Sequence, residues 1–239
     1  MRTTLTIFKS CRLTHRVREV MTAPSIGVKT MTGEVLKLRD DPALRTIVEN
    51  RIAEFLEVKK TGTEKWFEEL AYCLLTAYSS ARLGQLCVNA LCDRNALLNS
   101  DLDQVKEVLK TQGHRFAEKR AEYIFNARKL APTLKGTIQG FEDIKAAREW
   151  LVKNVKGIGW KESSHFLRNV GYLDIAIIDR HILSNMVDHG ILDERPKSIT
   201  KRRYLEYEGI LAEVSRRIDM PLGEMDLYLW FRKTGKVLK

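Results

Sequence analysis

Val155-Lys156-Gly157-Ile158-Gly159-Trp160-Lys161 joins two stretches that read as helices, and it decides how the rest of this 239-residue chain is read. Upstream, Ile144, Leu151 and Val155 recur at helical spacing through Glu142 to Asn154, with Ala, Arg, Glu and Lys between them. Downstream, Phe166, Leu167 and Val170 share a face of a second helix, from Trp160 to about Asn169, which Gly171 stops. So short a turn makes the two helices pack against each other. Gly157 and Gly159 allow backbone conformations closed to other residues and close approach to a ligand, while the second helix begins with free amide N–H groups at the positive end of its dipole. That combination suits a phosphate, although a plain αα-hairpin shows the same pattern.

Lys161 puts a cation in the first turn of a helix, where the macrodipole opposes it by about 0.3–1 kcal/mol. The same field, with desolvation, favours the neutral amine, the form that attacks as a nucleophile and makes Schiff bases. Asp179 stands 18 residues later, after the apolar run Ile175-Ala176-Ile177-Ile178 and before a helical pattern opening Arg180-His181-Ile182-Leu183. As an N-cap its carboxylate would be held ionised by backbone N–H donors, able to stabilise positive charge on a deoxyribose or to assist deprotonation of an amine. Singly, each residue has an ordinary explanation: a solvated surface lysine and a helix cap.

Together, hairpin, lysine and capping aspartate resemble the helix-hairpin-helix and Gly/Pro-Asp superfamily of DNA glycosylases. Ile177-Ile178-Asp179-Arg180-His181 occupies the place of the Gly/Pro-Asp segment, without its usual proline or glycine. Three more blocks narrow the resemblance. They are Gly223 to Phe231 leading to Thr234-Gly235-Lys236-Val237-Leu238-Lys239, Gly113-His114-Arg115-Phe116 followed by Lys119-Arg120-Ala121-Glu122-Tyr123-Ile124, and Leu74-Leu75-Thr76-Ala77-Tyr78-Ser79-Ser80-Ala81. Over roughly Trp66 to Lys239 the chain is similar to the Ogg2 family of 8-oxoguanine DNA glycosylases with AP lyase activity.

That resemblance implies roles. Lys161 would attack C1′, expel the oxidised base and form a Schiff base, and β-elimination would then nick the strand, with Asp179 as acidic partner. Lys239 would read the flipped base through the chain's terminal carboxylate, which can accept two donors from a guanine Watson–Crick edge. Trp230 and Phe116 match positions where aromatic rings would sandwich the base, although Leu227, Trp230 and Phe231 also fit a plain core stripe. Tyr78 falls where these enzymes press on DNA, and an intercalating and a buried tyrosine are equally compatible with the sequence. Two alternatives stay open: the same lysine chemistry on another lesion, and a non-catalytic hairpin module that only holds duplex DNA.

The remaining features bound the reading. A hydrophobic content of 44% supports a substantial core, and a net charge of +10 favours a polyanionic partner, with binding that weakens steeply as salt is added. Strand patterns are scarce. Ile47, Val48, Ile52, Phe55 and Leu56 after Asp41-Pro42 predict one amphipathic helix, and Tyr204, Tyr207, Leu211, Val214 and Ile218 another, so the expected fold is all-α. By resemblance it is two-lobed: residues 36–90 and 180–239 form one lobe, 91–179 form a bundle carrying the hairpin at 142–170, and DNA containing 8-oxoguanine or abasic sites crosses the cleft. Residues 1–35 read as a basic extension, with Arg2, Lys9, Arg12, Arg16 and Arg18 near the start opposed only by Glu19 up to residue 20. A DNA-binding arm or a disordered extension is favoured there over an organellar presequence. With no apolar span of about 20 residues, the expectation is a monomer in the cytoplasm or nucleoid, without membrane contact. Cys11, Cys73, Cys87 and Cys92 lack metal-site spacing, and imine chemistry requires neither metal nor organic cofactor.

Overall fold

The computed structural model describes residues 25–239, so the Arg-rich start lies outside the described residues. These hold no strand. In chain order the helices are α1 (Ile26–Arg39), α2 (Pro42–Lys60), α3 (Thr63–Thr76), α4 (Ala81–Asp93), α5 (Ala96–Asn99), α6 (Leu102–Thr111), α7 (Ala117–Ala127), α8 (Leu134–Gln139), α9 (Ile144–Asn154), α10 (Trp160–Asn169), α11 (Arg180–Asp188), α12 (Lys201–Arg217) and α13 (Leu222–Thr234). Side-chain caps set several starts. Asp41 accepts from the amides of Ala43 and Leu44 with Pro42 in the first turn of α2, and Asp101 and Gln104 form a reciprocal box at α6.

Two hydrophobic cores divide the chain. One runs from Trp66 to Ile175 and includes α3 and α4 as well as α9 and α10. The other joins α1 and α2 to α11, α12 and α13. The sequence reading placed residues 36–90 wholly in the flanking lobe, whereas the structure packs residues 66–91 into the core of the hairpin bundle. Helix α3 is buried almost all round, with Trp66, Phe67, Leu70, Ala71, Leu74 and Leu75 inaccessible, and a helix of that kind belongs at the centre of a bundle. The flanking lobe also starts earlier than residue 36. Ser25 caps α1, and Val28, Met31 and Val35 are in its core, so residues 25–35 are not an extension.

The α2 stripe is turned relative to expectation. Leu44, Val48 and Phe55 are buried while Ile47 and Leu56 are exposed, because the stripe starts at Leu44. The α12 stripe is as expected, with Tyr204, Tyr207, Leu211, Val214 and Ile218 all buried.

A buried polar network ties the two lobes where the hairpin meets α12. Arg148 on α9 donates to both Glu208 oxygens at 2.6 and 2.7 Å, and both side chains are buried. Glu208 also accepts from the Ala176 amide at 3.1 Å, and the Tyr204 hydroxyl donates to the Ala176 carbonyl at 2.9 Å. These contacts fix the loop that delivers Asp179 against the hairpin that delivers Lys161. Removing one partner leaves a buried unpaired charge, so Glu208→Ala is expected to cost about 3–5 kcal/mol in denaturant unfolding. A loss below about 1 kcal/mol would show that the aromatic rings of Trp160 and Tyr204, 4.8 and 5.3 Å from the guanidinium, hold Arg148 by themselves.

Candidate active site

The hairpin is built as the sequence predicts, with one difference. Gly157 has φ +95°, and a Cβ there would lie 2.2 Å from the Tyr123 ring, so both conformation and space demand glycine. Gly159 is extended at φ −103°, ψ −170°, a conformation open to any residue. Its contribution is to begin α10 without a side-chain cap, which leaves the first-turn amides free for an outside acceptor. Gly171, at φ +85°, ends the helix against α2, where a Cβ would meet the Phe55 carbonyl at 3.0 Å.

Lys161 projects from the first turn of α10 into a cavity of about 60 Å³ between the two lobes, lined also by Asp179, Trp230 and Lys239. Among the described residues no carboxylate lies within ion-pair distance of its ammonium. Asp179 caps α11, its Oδ1 accepting from the amides of His181 at 2.8 Å and Ile182 at 2.9 Å, which leaves Oδ2 for the cavity. The cap and the cavity position are therefore compatible. Trp230 belongs to the cavity wall, unlike Leu227, which is wholly in the core. The Trp230 ring stands edge-on to His181 at 4.4 Å, and its buried Nε1 has no partner among the described residues.

The lining residues that the sequence did not single out include His165, Arg168, Asp226 and Ser79. Arg168 pairs with Asp226 at 2.9 Å, joining α10 to α13 beneath the cavity. Burial pushes the Asp226 carboxyl up to about 7, against the pull of Arg168. His165 lies one turn beyond Lys161 and is buried, and among the described residues neither ring nitrogen makes a hydrogen bond of ordinary geometry. Its burial first, and then the nearby cations Lys161, Arg168 and Lys239, push its basicity well down, so the imidazole is neutral and has both a donor and an acceptor to offer. A charge or imidazole embedded in an apolar helix, as at Asp226 in α13, was the available signal, because such a group must find a partner.

The other predicted residues fall outside the cavity. Phe116 is partly exposed ahead of α7 with the Arg115 guanidinium 4.9 Å from its ring. Tyr78 is 91% exposed, which removes the buried alternative, and holds φ +60°. Its turn is pinned from the α7 side: His114 Nε2 pairs with the Leu75 carbonyl at 2.9 Å, and Arg120 donates to that of Ala77 at 2.8 Å. That accounts for the Gly113–Ile124 block in physical terms. Among the described residues no group of three or more His, Cys, Asp or Glu could hold a metal ion, and no helix is long and apolar enough to cross a membrane. Cys73 is buried, which raises its thiol, and Cys11 lies outside the described residues.

A hairpin-borne lysine facing a helix-capping aspartate across an inter-lobe cavity defines the helix-hairpin-helix DNA glycosylase class of fold. The sequence profile of the Ogg-HhH family, 8-oxoguanine DNA glycosylase, matches residues 48–220, and the chain belongs to that family. It is 47% identical over 214 residues to the 8-oxoguanine DNA glycosylase/AP lyase of Korarchaeum cryptofilum, covering 90% of this chain and 100% of that one. The structure is similar to the crystal structure of Methanocaldococcus jannaschii 8-oxoguanine glycosylase/lyase in complex with a 15mer DNA containing 8-oxoguanine. The TM-score is 0.83 at 43% identity, over 88% of this chain and 100% of that one. The 8-oxoguanine DNA glycosylase of Thermotoga maritima gives 0.79 at 40% identity, over 89% and 100%.

Proposed function

We propose that this protein excises 8-oxoguanine from duplex DNA and then nicks the strand, with Lys161 as nucleophile and Asp179 as its acidic partner. The observation that carries the reading is the meeting of Lys161, Asp179, Trp230 and Lys239 around one cavity, although they come from three separate parts of the sequence. The Lys161 amine attacks C1′ and the C1′–N9 bond breaks, its electron pair leaving with the base, which takes up a proton. The sugar ring opens to an iminium between Lys161 Nζ and C1′. Loss of a C2′ proton then expels the 3′-phosphate, and water hydrolyses the imine to free the lysine. The Asp179 carboxylate, oriented by two amides, stabilises the positive charge that develops at the sugar.

The other groups serve binding. The uncapped start of α10 at Gly157 and Gly159 receives a backbone phosphate. Trp230 stacks on the extruded base, and Lys239 meets its Watson–Crick edge. A cavity of about 60 Å³ has room for a few waters rather than a purine, so its walls must part for the base. Phe116 closes a sandwich only if the segment between α6 and α7 moves in on the DNA. One chain supplies every group named, so we assign a monomer acting on chromosomal DNA in the cytoplasm at the nucleoid.

Tyr78 is the DNA wedge in this account. An exposed non-glycine residue at positive φ costs about 1–3 kcal/mol, so Tyr78→Gly is expected to raise the unfolding free energy by roughly 1 kcal/mol while slowing 8-oxoguanine excision. Equal excision by the variant would remove Tyr78 from the DNA contact.

The direct test incubates the protein with matched duplexes carrying 8-oxoguanine, guanine or an abasic site, and follows free base and strand breaks. Release of 8-oxoguanine with a nick, and none from guanine, is the expected result. Nicking at the abasic site alone would reassign the lesion, and binding without either product would leave a DNA-holding module.

A further inference from the structure

Lys239 is fastened to the protein by its side chain as well as by its backbone. The Lys239 ammonium donates to Glu69 Oε1 at 2.8 Å and lies 4.5 Å from the centre of the Tyr72 ring. The other Glu69 oxygen accepts from the Asn169 amide at 3.0 Å, and Asn169 is the last residue of α10, the helix that begins beside Lys161. Tyr72, one turn after Glu69 on α3, donates its hydroxyl to the Lys239 main-chain oxygen at 2.7 Å. Tyr72 thus fixes the Lys239 backbone while Glu69 fixes its side chain.

Glu69 is only 3% exposed, and among the described residues Lys239 is its one ion-pair partner. A carboxylate so buried requires a cation, so the ammonium cannot leave cheaply. Position matters as much as charge here. Leu238 and Lys239 line both the 60 Å³ cavity and a wider apolar groove of about 590 Å³ against α2 and α4. Leu238 and Lys239 thus stand between the two spaces, and Glu69 and Tyr72 together pin Lys239 to the bundle core.

We infer that Glu69 is a positioning residue for base recognition: by holding the Lys239 ammonium it places Lys239 against the cavity that Lys161 and Asp179 line. The inference rests on the proposed function above. It assigns no contact with substrate to Glu69, whose effect passes through Lys239.

The test compares wild type with Glu69→Gln and Lys239→Met, which removes the ammonium and keeps the backbone held by Tyr72. Excision of 8-oxoguanine and nicking at a preformed abasic site are measured for each, with thermal unfolding alongside. Both variants are expected to lose about 30-fold or more in kcat/KM for excision while abasic nicking stays within about threefold, and the double variant should lose no more than about threefold beyond either single one. Excision and nicking falling together would mark Glu69 as merely structural, and additive losses would show that it does not act through Lys239; either overturns the inference. A lesion-selective wild type whose Glu69→Gln variant keeps its selectivity also overturns it. A wild type that releases no 8-oxoguanine overturns the functional reading itself, and is recognised before any variant is made.

Discussion

Lys161→Gln is expected to reduce strand cleavage at 8-oxoguanine by at least about a thousandfold while weakening binding of the same duplex only about twofold. In the proposed mechanism the amine is the nucleophile and the carrier of the imine, so its loss would remove both chemical steps at once, and among the described residues no other lysine with a free ammonium lines the cavity. Lys239, the other lysine lining the cavity, has its ammonium engaged by Glu69. In the proposed complex, binding would rest mainly on phosphate contacts spread over a basic protein and on the amides of α10, which the substitution leaves alone. Gel-based nicking and a binding titration on one duplex measure both. Parallel loss of binding and cleavage would make Lys161 a phosphate contact rather than a nucleophile.

Removing Lys239 has the second-largest expected effect and a different signature. Excision of 8-oxoguanine should fall about a hundredfold, while nicking at a preformed abasic site, where no base has to be read, should change by less than about fivefold. Base-edge donors left unpaired in a desolvated site cost about 1–3 kcal/mol each, enough for a loss of that size. Lys239→Ala sharpens the test: it keeps the backbone oxygen held by Tyr72 and removes the ammonium held by Glu69, so the same selective loss assigns recognition to the placing of this residue. Equal loss of both activities in either variant would count against that role.

The hairpin was legible because everything that defines it is local: a 3.6-residue stripe on each side, a stop at Gly171, and Gly157 at the one position where positive φ and the Tyr123 ring leave no room for a side chain. Asp179 was legible for the same reason, since a cap is a short-range device. The division into lobes was read wrongly at α3 and α4. Apolar residues all round α3 announce burial but not the partner, and the packing that assigns them to the hairpin core is long-range. The pairs that complete the site are also long-range, with Arg168 reaching Asp226 58 residues away and Glu69 reaching Lys239 170 residues away. Asp226 between Met225 and Leu227 was visible as a charge in an apolar stretch, whereas Glu69 follows Glu68 and could not be told from its more exposed neighbour. A position like that of Asp226 says that a partner exists and leaves its identity to the fold. Tyr78 was undecided in the sequence because the pattern of α3 ends just before it, and only the turn pinned by His114 and Arg120 settles that it faces outward.

The most direct measurement is borohydride trapping on a duplex with a single 8-oxoguanine, followed by digestion and mass mapping of the adduct. The account predicts a covalent protein–DNA species that forms with the lesion, not with undamaged duplex, and maps to Lys161 through its Nζ. An adduct on any other residue, or none on either 8-oxoguanine or abasic duplex while binding persists, would contradict it.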